Sequence, residues 1–156
     1  MKEDFYKTYF EVEKYHWWFR VRRNIIISII SNISNIRTIH DFGGGSGYLI
    51  GKLQRLGYDA AGSDVSREAI EFGISQGIKN LHLTHPGEMP PEANLDVVLA
   101  LDVIEHIKDD MGAIRGLEKA LKPGGMLIIT VPAYRWMWGV QDEVARHFRR
   151  YDMKSL

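Results

Sequence analysis

The stretch TIHDFGGGSGYL at residues 38–49 decides the fold, because a short apolar run ends in Asp41 and breaks at once into glycines. That order is a β-strand feeding a tight turn into a helix, with a small, partly anionic ligand expected at the turn. Gly43, Gly45 and Gly47 admit positive φ and close backbone approach, so amides there can point at a phosphate- or carboxylate-sized group. The spacing is G-x-G-x-G, with Gly44 and Ser46 in the gaps. It is not the dinucleotide fingerprint G-x-G-x-x-G, whose third glycine would fall on Tyr48. By itself the same turn would also serve as plain strand-to-helix punctuation.

Downstream, residues 58–66 read YDAAGSDVS, a short strand ending in Asp64, followed by Ser66 as N-cap of a helical run from Arg67. Asp64 lies 21 residues after Gly43, close to the distance at which an acidic residue ends the second strand of a βαβ unit and accepts hydrogen bonds from ribose hydroxyls. A carboxylate suits two neighbouring hydroxyls because it offers two acceptor oxygens.

With these motifs in place, the sequence resembles the class I S-adenosylmethionine-dependent methyltransferases, of the type 11/12-like kind. The resemblance spans residues 38–132 through HDFGGGSG at 40–47, GSDVS at 62–66, DVVLALDVIEHI at 96–107 and LKPGGMLIITVP at 121–132. It implies a Rossmann-like α/β fold and S-adenosylmethionine as cofactor. The methionine part would lie on Gly43, Gly44, Gly45 and Gly47, with Asp41 near its ammonium or orienting the loop. Asp64 would hold the ribose and Val65 would cover one adenine face, with Leu101 and Asp102 also at the cofactor. Where relatives often carry an Asp after the third strand for the adenine edge, this chain has THPGEMP at 84–90, which assigns that contact to His85.

Strands are expected at 37–42, 58–63, 79–83, 95–101 and 125–131, alternating with helices at 46–56, 66–76 and 109–121. Continuous apolar runs such as DVVLAL and MLIITV indicate a mainly parallel, doubly wound sheet of about five strands covered on both faces. Before it, isoleucines at 25, 26, 29, 30, 33 and 36 mark an amphipathic helix. The expected organisation is therefore an N-terminal helical lid (1–36), a cofactor-binding domain (37–132) and the start of a substrate-side segment (133–156). The family's sheet has seven strands, so the chain is read as a shortened product. The fifth strand would then be an unprotected apolar edge, through which a homodimer could form.

Lys plus Arg equals Asp plus Glu at 20 each, so no net field favours nucleic acid or an anionic membrane. Cysteine is absent, which excludes disulfides and thiolate chemistry and fits a reducing compartment. No uncharged apolar run approaches the roughly 18 residues of a membrane span, and the polar N-terminus is unlike a signal peptide, so the cytoplasm is the default location.

HWWFRVRR at 16–23 and DEVARHFRRY at 142–151 both mix aromatics with arginines, a combination that resembles methyltransferases acting on glycan or lipid-linked acceptors. Trp17, Trp18 and Phe19 are read first as core anchors of a helix. Arg146, Arg149 and Arg150 are read as a solvated basic face or, if convergent, as a site for an acceptor anion. His106 and His147 are the candidate catalytic residues for removing a proton from an acceptor hydroxyl, although His106 also reads as a residue fixing the loop after the fourth strand. No metal motif is expected, since His82 and His85 lack partner ligands at a useful spacing. Two rival functions remain open: a nicotinamide-dependent oxidoreductase and a cofactor-binding fragment without activity.

Overall fold

The structure is a computed structural model that describes residues 3–85, 88 and 94–156. Five strands form one all-parallel sheet in the order β3-β2-β1-β4-β5: β1 Thr38–Phe42, β2 Asp59–Asp64, β3 Leu81–Leu83, β4 Leu95–Leu101 and β5 Leu121–Thr130. The helices between them are α3 Tyr48–Arg55, α4 Arg67–Ser75 and α5 Asp110–Ala120. Both the doubly wound class and the strand count agree with the sequence reading.

Central strand β4 shows why helices must lie on both faces. Its side chains alternate in direction, Val97 and Leu99 packing with Ile39, Ile50 and Leu53, while Val98 and Ala100 pack with Phe42, Ile104 and Leu117. Neither face is wet, because Val97, Val98, Leu99 and Ala100 have no exposed area.

The N-terminal region holds two helices, α1 Glu3–Tyr15 and α2 Trp17–Ser31; the isoleucine-rich one ends before Ile33 and Ile36, and His16 separates the pair by accepting the Trp18 amide at 3.3 Å. Only Ile26 and Ile30 of α2 are buried, one turn apart, so the helix meets the sheet along a narrow stripe. Trp17 and Trp18 are exposed and do not anchor the core, because the helical period turns them away from that stripe.

Strand β5 begins four residues before the expected start at 125. Leu121 pairs with Leu95 and Met126 with Val97, so residues 122–125 form a bulge that accommodates the PGG sequence. At the amino end of the sheet Asp96, buried, accepts the amides of Arg37 and Thr38 at 2.7 and 2.8 Å and pairs with Lys122. One carboxylate thereby ties the starts of β1, β4 and β5.

After β5 the chain folds back. A 3₁₀ turn at Arg135–Met137 and α6 at Val140–Ala145 lead to Tyr151, which bridges to Ala133, is buried, and donates its hydroxyl to Asp110 Oδ2 at 2.8 Å. Arg149 pairs with Asp110 at 2.7 Å and Arg150 with Asp142 at 2.8 Å. These two arginines are structural ion-pair partners, neither a solvated face nor free for an acceptor anion, because buried carboxylates claim them. Among the described residues β5 has β4 as its only strand neighbour, so its outer edge is left unpaired.

Asp96→Ala strands two backbone donors and Lys122, and is expected to lower unfolding free energy by about 2–4 kcal/mol in urea titrations. Burial opposes ionisation of Asp96, yet Lys122 and the Thr38 and Arg37 donors hold its carboxyl well below the usual range. Its contribution should be complete above about pH 4 and lost as pH falls further, a loss that the Ala variant will not show.

Candidate functional site

The strand order reverses between β1 and β4, and the crevice beyond their carboxyl ends is where such a sheet binds ligands. Two cavities open there. The larger, about 650 Å³, is lined by Phe42, Gly43, Asp64, Val65, Thr84 and His106, among others. The smaller, about 270 Å³, is lined by Glu13, Phe19, Arg22, Asp41, Gly45 and Leu101, among others. Gly43 and Asp102 line both, so the cavities adjoin across these two residues.

The glycine loop is built by Asp64 and β2. The amides of Gly43 and Gly44 donate to the Ser63 carbonyl at 2.8 and 3.1 Å, and Gly47 donates to Gly44 at 2.9 Å. Gly45 donates to Asp64 Oδ2 at 2.9 Å, while Asp64 Oδ1 accepts the Ser66 amide at 2.8 Å. These four loop amides are thus consumed within the fold, which corrects the expectation that they point at an anionic ligand. Asp64 keeps unused lone pairs on both oxygens and faces the larger cavity.

The glycines serve different ends. Gly43 has φ +74°, and a Cβ there would lie 2.5 Å from Val103 Cγ2. Gly45 has φ +56°, but a Cβ would meet nothing within 4 Å, since it would project into open space. Gly43 is therefore required for packing and Gly45 for whatever fills the cavity.

The smaller cavity has an excess of acid. Arg22 pairs with Asp102, whose other oxygen accepts Thr130 Oγ1 at 2.9 Å and whose backbone is held at φ +56°. Burial pushes Asp41 up to about 7, against the pull of Arg22 and with the added repulsion of Glu13 and Asp64. Burial likewise raises Glu13 to about 7, opposed by Arg22, Ser46 and Arg23. Three carboxyl groups around one guanidinium make a hole suited to a ligand's positive charge.

At the far end of the larger cavity, the 3₁₀ turn Ile104–His106 meets the fold-back segment. Donor atoms of Glu105, His106 and His147 lie within 4.8 Å of one another, and the two imidazole rings are 4.6 Å apart. His147 Nδ1 is hydrogen-bonded to Asp142 Oδ1 at 2.9 Å, and the Phe148 amide donates to the Glu105 carbonyl at 2.8 Å. Glu105 is buried and its carboxyl is raised to about 7 by that burial. Burial, with His147 alongside, lowers the pKa of His106.

Most sequence candidates therefore converge: Asp41, Gly43, Gly44, Gly45, Leu101 and Asp102 border the smaller cavity, and Asp64, Val65 and His106 the larger. Gly47 is packed against Leu81 and Ile78 and shapes the loop from behind. His85 is exposed and lies outside the cavity lining, whereas its neighbour Thr84 is buried and lines the larger cavity. Residues 86–87 and 89–90 of the THPGEMP stretch fall outside the described residues. Glu13, Arg22, Glu105 and Asp142 were missed. Arg22 and Glu13 meet the site only through the packing of α1 and α2, whereas Glu105 adjoins His106 in sequence.

The chain matches the family described as "Methyltransferase domain" over residues 13–156. It is 34% identical over 110 residues to a ubiquinone biosynthesis O-methyltransferase of Bradyrhizobium sp. (strain ORS 278), covering 67% of this chain and 43% of that protein. The chain thus spans under half the length of that curated relative. Among solved structures it is similar to Streptomyces venezuelae DesVI (TM-score 0.74, 13% identity, 89% of this chain and 61% of that one). It is also similar to the sugar N-methyltransferase KedS8 of Streptoalloteichus sp. ATCC 53650 (TM-score 0.72, 18% identity, 86% and 56%).

Gly43→Ala should destabilise the chain by about 2–3 kcal/mol, combining overpacking on Val103 with the left-handed backbone. Gly45→Ala should cost only about 1 kcal/mol, for its backbone alone. Chemical denaturation of the two variants side by side measures the difference.

Proposed function

The chain belongs to the methyltransferase-domain family, and we propose that it binds S-adenosylmethionine across the two adjoining cavities for transfer of a methyl group to an acceptor hydroxyl. The observation that carries this reading is the division of labour between the cavities. One gathers Glu13, Asp41 and Asp102 around Arg22, and the other presents the Asp64 carboxylate beside apolar Phe42 and Val65.

In this assignment Arg22 takes the cofactor's carboxylate, and Asp41 with Glu13 takes its ammonium. Asp64 accepts the ribose hydroxyls while Val65 and Thr84 border the adenine, and Leu101 and Asp102 floor the junction between the two ends. The cofactor supplies a methyl group already activated on a positive sulfonium, so alignment accounts for much of the acceleration. His106 and His147 stand on the acceptor side, where they hold the acceptor's oxygen or its proton. The acceptor is a small molecule or a glycan- or lipid-linked group with a free hydroxyl. A nicotinamide cofactor is disfavoured by the glycine spacing and by the acid excess, which repels a pyrophosphate. Self-association through the unpaired edge of β5 belongs to the same proposal, and light scattering across micromolar concentrations should show a dimer.

Calorimetric titration with S-adenosylhomocysteine tests the binding reading, with NADH as the control that should give no heat. Asp64→Ala is expected to weaken binding by about 2–3 kcal/mol, the loss of hydrogen bonds to a charged group. Gly45→Val should abolish it with the circular dichroism unchanged. The pH dependence follows from Asp41 and Glu13, whose carboxyls titrate near 7 in the free protein, facing Arg22, Ser46, Arg23 and Asp64. A ligand ammonium favours their ionised forms, so affinity should fall as pH drops from 8 to 6 and level off above. Binding at pH 6 should release protons, read from titrations in buffers of different ionisation enthalpy. Unchanged affinity in Asp64→Ala would remove that residue from the site.

A further inference from the structure

We propose that Glu105, His106 and His147 form a binding site for one divalent transition-metal cation at the acceptor end of the larger cavity. The inference deepens the methyltransferase reading and rests on it for the identity of the acceptor, though not for the metal itself. Two imidazoles and one carboxylate present donor atoms within 4.8 Å of one another, a separation that one cation can span.

An independent observation points to a ligand. Glu105 is 1% exposed, and its Oε2 has no hydrogen-bond partner among the described residues. A carboxylate taken out of water without compensation is costly, and a cation beside the two histidines supplies that compensation. The surroundings of the histidines fit the same role. Asp142 Oδ1 engages His147 Nδ1 at 2.9 Å, which leaves Nε2 as the nitrogen available for ligation. Asp142 is itself fixed by Arg150 Nε at 2.8 Å and the Gly139 amide at 2.9 Å. A carboxylate behind the imidazole, immobilised in turn, is how metal-ligating histidines are oriented.

The donor set selects the class of ion. Imidazole nitrogens favour zinc, cobalt or nickel over magnesium and calcium, which prefer all-oxygen shells. Three protein ligands leave at least one position open, as in catalytic rather than structural sites. His106 lines the larger cavity, so the open position faces the space left for the acceptor. The acceptor class then narrows to molecules that offer an oxygen to a metal, a hydroxyl alone or with an adjacent oxygen.

The test is titration of the tag-free full chain, previously stripped with chelator, with cobalt(II) alone. Saturation at one equivalent per chain with visible d–d bands, and displacement by zinc(II), is the expected result. His106→Ala and His147→Ala should each weaken binding by roughly tenfold or more. His106 is exposed, so its Ala variant should keep the wild-type fold even if a Glu105→Gln variant does not. S-adenosylhomocysteine titration of the stripped chain should be unchanged, separating failure of the metal site from failure of the cofactor site. No saturable cobalt binding at micromolar concentrations would overturn the proposal. So would binding that the His106 and His147 variants retain, since the histidines would then not be ligands.

Discussion

The desolvation of β4 on both faces is the constraint on which the rest of the molecule depends. With Val97, Val98, Leu99 and Ala100 wholly out of water, α2 and α3 must cover one side and α5 the other. Polar chemistry is thereby confined to the strand ends. At the amino end a single carboxylate, Asp96, satisfies the first amides of β1 and pairs with Lys122 of β5, which pins the three central strands in register. Register is all that is needed to bring Asp41 and Asp102 to the opposite end together. Asp41 is the penultimate residue of β1, and the Asp41–Leu99 pairing leaves Asp102, the residue after β4, just beyond the sheet.

That end of the sheet is electrostatically unfinished. Buried carboxyls stay protonated near neutrality unless a cation joins them, and Glu13 and Asp41 both sit at that margin, sharing Arg22 between them. Arg22 is meanwhile engaged with Asp102, a residue held at positive φ. Strained backbone and marginal carboxyls in one place are common where a ligand completes the charge balance, and both lie on the seam between the two cavities.

The sheet and much of the crevice were legible because their signals are local. Period and composition located every strand within a few residues, and DFGGGSG with GSDVS singled out Asp41, Gly43, Gly45 and Asp64, all of which line the crevice. The roles of the glycines were not legible: Gly43 is dictated by Val103, sixty residues away in sequence, which no turn rule reports. The amides of Gly43, Gly44 and Gly45 looked free in the sequence because their acceptors, the Ser63 carbonyl and the Asp64 carboxylate, belong to another strand. His85 was placed by analogy, and the residue that lines the larger cavity there is Thr84. Glu13 and Arg22 were invisible since a charged residue on an amphipathic helix reads as solvent-facing until the helix is docked.

Residues 133–156 read as an unfinished appendage, and their compositional mix of aromatics and arginines suggested a surface for an acceptor. Arg146 does stay exposed, but Asp142, Arg149 and Arg150 instead turn inward. Asp142, Arg149, Arg150 and Tyr151 are spent on ion pairs and hydrogen bonds that fasten the segment to α5 and to Ala133. The consequence is positional: the Phe148 amide grips the Glu105 carbonyl, so His147 is delivered beside His106 with its ring already oriented by Asp142. The cluster of Glu105, His106 and His147, split across 42 residues, is thus assembled by the same buried polar contacts that hold the fold-back in place. Loosening the segment would disperse the histidine cluster before it disturbed the cofactor crevice, because the crevice is framed by β1, β2 and β4 and makes no use of those contacts.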